Sequence, residues 1–171
     1  MKYFKDHPAV EVVMVLSNKS DAPVLIRAQN HNISSKIFTK EQFSANDDVV
    51  RWLKDAGVTH VVLAGFLWLI PASLIKAFPN RIVNIHPALL PKHGGKGMYG
   101  MKVHEAVKAI GDSHTGITIH LVNEKYDDGK VLAQEQVAVD GSDTPADIAS
   151  KVHQLEYLHY PRVIEGWLAN S

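Results

Sequence analysis

The chain's 171 residues suffice for one domain, 1–171, with a buried core, and 46% hydrophobic with 21% charged is an ordinary globular composition. Lys plus Arg and Asp plus Glu stand at 18 each, so no basic field exists to hold nucleic acid. With no Cys there is no disulfide framework, thiolate metal site or Cys nucleophile, and the longest apolar run, across 61–72, is broken by Pro71 and too short to span a membrane.

Met1–Asp6 lacks the apolar segment of a signal peptide, which makes the cytoplasm the expected compartment. Val10–Leu16 reads as a buried strand ended by a polar run, and Asp21 as the cap of a helix reaching Gln29, with Pro23 in its first turn. Ile37-Phe38 is short and extended. Thr39 and Gln42 form a capping box for a helix with Val49, Val50 and Leu53 on one face and Gly57 as its stop. His60–Ala64 is continuously apolar, the pattern of a strand covered on both faces. A helix over Ala72–Phe78 leads to a strand over Ile82–His86. A long loop, 87–103, precedes a helix to Ile110, an alternating strand over Gly116–Val122 and another over Val131–Val139. Thr144 caps a last helix with Ile148, Val152 and Leu155 inward, and Pro161 is expected to break it before a turn holding Ile164, Trp167 and Leu168. Strands separated by helices predict an α/β fold, doubly wound, with a mostly parallel sheet.

The chemistry concentrates in Asn84-Ile85-His86-Pro87-Ala88-Leu89-Leu90-Pro91. Alternation along a strand puts Asn84 and His86 on one face, at the carboxyl end, where open α/β sheets bind ligands. An amide and an imidazole there supply an oxyanion donor and a proton carrier. Thr118 and His120 share a face of their own strand, and the turn after it offers Asp127 or Asp128 to orient a histidine; spacing does not choose between the two acids. Gly95–Gly100 matches G-x-G-x-x-G but trails its strand through two prolines, so a lid beside the site is the better reading than a dinucleotide fingerprint. His104-Glu105 has no second His in zinc-protease spacing, and no metal is expected. Ser17 and Ser20 lack a nucleophile-elbow context.

These motifs, with Ser17-Asn18-Lys19, Val62–Phe66, Gly116–His120, Asp127-Asp128-Gly129 and Glu156–Pro161, resemble the glycinamide ribonucleotide formyltransferase family of purine synthesis. The resemblance runs from about Val10 to the C-terminus. It implies a Rossmann-type formyltransferase domain that moves a formyl group from 10-formyltetrahydrofolate, the co-substrate, to the amine of glycinamide ribonucleotide, with small molecules as its partners. In that reading Asn84 and His86 hold and protonate the oxyanion, and Asp127 is the catalytic aspartate. Asp128 stands where the family usually has Gly. His120 falls on an active-site histidine position, and Leu67, Trp68, Leu69 and Ile70, with the loop to Asp127, line the pterin pocket. Glu156 binds the nucleotide, with Pro87 and His153 also on the acceptor side; His153 replaces a Gln or Lys, and Trp68 an Arg of some members. The family's opening strand, phosphate loop and half a helix have no counterpart before Met1, a difference on the order of 20 residues. That implies exposed sheet edges and a weak hold on the nucleotide's phosphate. The rival readings are a formyltetrahydrofolate hydrolase and an inactive folate-binding form.

Overall fold

The computed structural model describes residues 1–171. The chain divides into two compact units, 1–60 with 71–78 and 61–70 with 79–171.

The first unit opens with a 3-10 turn over Lys2–Phe4. It contains β1 (Met14–Ser17), paired in parallel with β2 (Ser34–Ile37), and α1 (Pro23–Asn30) between them in sequence. The first strand starts at Met14 rather than Val10, because pairing begins at Met14 opposite Ser34. Ala22, not Asp21, occupies the cap position of α1 and makes no side-chain bond; Pro23 at the first turn needs no donor partner. The capping box at α2 (Lys40–Ser44) forms as expected, Gln42 N–H donating to Thr39 Oγ1 and Thr39 N–H to Gln42 Oε1. The helix predicted beyond it is split, since Asp47 takes a left-handed φ of 54° before α3 (Asp48–Asp55). Val49 and Leu53 are buried and Val50 is half-buried. Phe38 and Phe43 stack 5.2 Å apart in this core, and α4 (Ala72–Ala77) buries Leu74.

The second unit is a four-stranded sheet in the order β3 (Val61–Leu63), β4 (Ile82–His86), β5 (His114–Leu121), β6 (Val131–Ala138). β3 and β4 run parallel, while β5 is antiparallel to both β4 and β6. The expectation that the 60–64 strand is covered on both faces fails: Val61 and Leu63 are half-buried, but Val62, on the opposite face, is 43% exposed. β5 is central instead and buries six consecutive residues, Thr115 to His120, so its alternation in sequence does not mark a solvent face. α5 (Met101–Ile110) packs against α6 (Pro145–Ala169), and α6 against β4, β5 and β6. α6 carries a capping box of Thr144 and Asp147 and runs unbroken through Pro161. The carbonyl that loses its N–H partner there belongs to Tyr157, 78% exposed, where water can replace the bond. Ile148, Val152 and Ile164 point inward, with Ile82, Val83, Ile117 and Ile119 supplying the sheet's share of the core.

Candidate active site

Antiparallel pairing of β4 and β5 sets Asn84 opposite His120 and His86 opposite Thr118. Residues directly opposite share a face, so four polar side chains form one patch on the sheet while Val83, Ile85, Ile117 and Ile119 take the other face. Leu121 N–H and the following turn bring Asp127 over the patch, held at a left-handed φ of 52°.

Asp127 reaches both imidazoles. Its Oδ2 stands 3.5 Å from His86 Nδ1 and its Oδ1 3.7 Å from His120 Nε2, and Gly95 N–H donates to Oδ2 at 2.9 Å. Asp128 turns away to Asn123 and Lys125, at 3.4 and 3.7 Å. Of the two acids that spacing left open, Asp127 is the one gathered with the histidines.

Hydrogen bonds assign the protons. A carbonyl only accepts, so His86 Nε2, 2.7 Å from the His93 carbonyl, carries a hydrogen. Burial pulls the His86 pKa below its ordinary value; Asp127 and the His93 carbonyl oppose that, and His120 and His93 add to it. The neutral ring therefore presents a lone pair at Nδ1, beside the carboxylate. His120 Nδ1 likewise faces the Leu121 carbonyl at 2.9 Å and donates to it. Nε2 of the neutral ring then accepts from Asn84 Nδ2 at 3.2 Å, which leaves the second amide hydrogen of Asn84 for another acceptor.

Several residues that build this site carry no motif. Thr118, fully buried, donates to the Ala88 carbonyl at 2.7 Å and accepts from Leu90 N–H and Gln134 Nε2 at 3.0 and 2.9 Å, pinning the start of the loop after β4. Gln134 also donates to the Leu90 carbonyl. His93 Nε2 contacts Asp112 Oδ2 at 2.6 Å, and Lys92 contacts the other oxygen at 3.0 Å. At Gly129 a Cβ would occupy the position of the Leu121 carbonyl oxygen, so the turn that delivers Asp127 admits no side chain there. The alternation shared by Thr118 and His120 is the one trace of this support in sequence; the rest is long-range pairing.

Leu67, Trp68, Leu69 and Ile70 follow β3 in an irregular segment. Leu67 and Leu69 are 48% and 44% exposed and offer apolar surface, Trp68 is half-buried, and Ile70 is buried. Pro87 is half-buried at the end of β4. His153 and Glu156 lie one turn apart on α6. His153 is exposed, its ring 6.4 Å from that of buried His104; Glu156 is half-buried, and burial raises its carboxyl pKa while His153 opposes the shift. No three His, Asp or Glu side chains gather closely enough to hold a metal ion. No helix is long and apolar enough to cross a membrane.

The family model described as formyl transferase matches residues 1–164. The chain is 45% identical to a protein of Arabidopsis thaliana named phosphoribosylglycinamide formyltransferase, chloroplastic, over 90% of this chain and 54% of the relative. It is 35% identical to the Haemophilus influenzae phosphoribosylglycinamide formyltransferase, over 94% of this chain and 74% of that one. Among solved structures, phosphoribosylglycinamide formyltransferase from Bacillus halodurans superposes with a TM-score of 0.85 at 32% identity, covering 94% of this chain and 82% of the other. The chain spans about half the length of the plant relatives it matches.

Proposed function

The chain belongs to the formyl transferase family, and from that premise we propose that its site transfers a formyl group from 10-formyltetrahydrofolate to the amine of glycinamide ribonucleotide. The family uses a formyl-tetrahydrofolate co-substrate, which brings the activated formyl group. The observation that carries the reading is the single patch of Asn84, His120, Asp127 and His86, chained in that order by contacts of 3.2, 3.7 and 3.5 Å between sequence-distant elements. Exposed Leu67 and Leu69 give a flat heteroaromatic ring apolar surface to rest on, which fits a pterin.

The chemistry balances on these groups. The acceptor amine forms a bond to the formyl carbon and releases its proton to Nδ1 of neutral His86. Charge on the formyl oxygen is met by the free amide hydrogen of Asn84. The bond from the formyl carbon to the donor nitrogen then breaks as His86 returns the proton to that nitrogen. Asp127 stabilises the imidazolium in between and holds the ring plane. His120 orients the Asn84 amide through their hydrogen bond. Glu156, His153 and Pro87 serve the nucleotide, and Leu67 to Ile70 with His120 and Asp127 the folate. The single formyltransferase domain and a cytoplasmic setting complete this reading.

The test measures consumption of 10-formyltetrahydrofolate with and without glycinamide ribonucleotide. Acceptor-dependent consumption that Asn84→Ala abolishes supports the proposal. Consumption at the same rate without acceptor makes the site a hydrolase and overturns it.

A further inference from the structure

We propose that His93 and Asp112 are positioning residues for His86. Their contact fixes the His93 carbonyl as the acceptor of His86 Nε2–H and so reserves Nδ1, beside Asp127, for proton exchange. The inference rests on the formyl-transfer reading for what the proton does, but not for how the ring is held.

The carbonyl is held from several directions. His86 Nε2 lies 2.7 Å from it, and the His86 side chain is 5% exposed, so no water substitutes freely. His93 adopts a φ of 53°, a conformation a non-glycine residue keeps only when its surroundings demand it. The demand comes from the side chain of the same residue: its Nε2 meets Asp112 Oδ2 at 2.6 Å, both groups nearly buried at 7% and 13% exposure. Asp112 follows the C-terminal end of α5, and Lys92 occupies its second oxygen at 3.0 Å. Its carboxyl is held below the ordinary range by the His93 bond first and the Lys92 bond second. Imidazole and carbonyl of one residue thus clamp together: Asp112 grips the ring, and the backbone it fixes grips His86. Without the grip, a left-handed His93 has every steric reason to relax, and its carbonyl turns with it.

The consequence is tautomeric. A neutral imidazole has one hydrogen, and a carbonyl at Nε2 commits it there. Nδ1 then faces the carboxylate as a lone pair, in position to take a proton from an attacking amine that Asp127 also attracts. The opposite tautomer would donate Nδ1–H to Asp127 and leave no base on that side. The charged or titratable groups around the ring are Asp127, His120, His93 and, further off, His104.

The experiment labels the full chain with ¹⁵N-histidine and reads the tautomer of His86 by NMR, alongside steady-state kinetics. Wild type is expected to show His86 wholly as Nε2–H. Asp112→Ala and His93→Ala should give a mixture containing Nδ1–H, with turnover down about tenfold and both Michaelis constants little changed. His93→Gln, whose amide still donates to Asp112, should recover most of the Nε2–H population. Lys92→Ala should leave the tautomer as in wild type, because Lys92 is 70% exposed and touches the outer oxygen. Asp112→Asn, which keeps the volume and an acceptor, replaces an alanine variant that fails to fold, with a smaller shift expected. His86 remaining wholly Nε2–H in folded Asp112 and His93 variants would overturn the proposal. Absence of formyl transfer by the wild type would overturn the formyl-transfer reading instead, while the tautomer comparison still decides the positioning role.

Discussion

At the residue scale, Asp127 stands between two imidazoles, and its two oxygens divide the work. Oδ2 serves His86 and the Gly95 N–H, Oδ1 faces His120. On the proposed mechanism Asp127→Asn removes the charge that stabilises the His86 imidazolium but keeps the volume, so turnover should fall more steeply than folate affinity; paired kinetics and folate titration check this. Asp128→Asn, on a side chain that faces Asn123 and Lys125, should leave both quantities close to wild type. If Asn84 is the oxyanion donor, as proposed, Asn84→Ala should lower the turnover number by about 10²–10³-fold, the scale of one such donor. Glu156→Gln should raise the Michaelis constant for the nucleotide alone. Equal effects on both substrates would assign Glu156 a structural part in α6.

At the element scale, the site depends on how β4, β5 and the loops after them are tied. The Thr118 hydroxyl carries one donated and two accepted bonds that bind the 87–90 backbone to β5. Thr118→Val keeps the shape but deprives Leu90 N–H and the Ala88 carbonyl of their partner, while exposed Gln134 keeps its bond to the Leu90 carbonyl. The stability cost should be about 1–3 kcal/mol per group left without a partner, read from urea unfolding. Gly129→Ala is expected to be worse for activity than for folding, because the clash with the Leu121 carbonyl is relieved by moving the turn that carries Asp127. The contrast between unfolding and turnover in that one variant measures how far the turn moves. The α6 capping box is more ordinary: Thr144→Ala should cost about 1 kcal/mol.

At the scale of the whole molecule, buried His104 couples stability to pH. Its pKa is lowered from 6.5 to about 4, by burial first and then by His153 and His86, and its Nδ1 has no hydrogen-bond partner. The folded protein resists protonation there, while the unfolded chain takes up a proton near 6.5. The unfolded state therefore binds more protons below that value, and stability contributed by the neutral ring is lost as pH falls from about 6.5 to about 4. His86, also lowered by burial, works in the same direction. His104→Leu removes both the titration and a partnerless polar atom. It should cost little at pH 7.5 and be less destabilised than wild type at pH 4.5, by comparison of urea midpoints. An identical loss on acidification in the two proteins would assign the effect to other groups.

The local rules reached far along this chain. A β-branched strand stopped by Pro87, the Thr39–Gln42 and Thr144 caps, the helix over 72–77 and the shared face of Asn84 and His86 all follow from period, propensity and hydrogen-bond chemistry within a few residues. The family was legible from an eight-residue motif and its company, and the matches over 1–164 bear it out. What needed the tertiary structure was every decision between distant residues. Pro161 sits inside α6 because an exposed carbonyl tolerates its missing partner, and Val62 is exposed because its face of β3 is left uncovered. Spacing left Asp127 and Asp128 open and the resemblance pointed to Asp127; that Asp127 rather than Asp128 lies beside the histidines depends on its left-handed backbone and on the turn at Gly129. The pairing of Asn84 with His120, and the clamp of Asp112 on His93, arise from antiparallel register and loop closure. Neither leaves a periodic trace, because hydrogen bonds between residues 19 to 36 apart are set by the packing that brings their elements together.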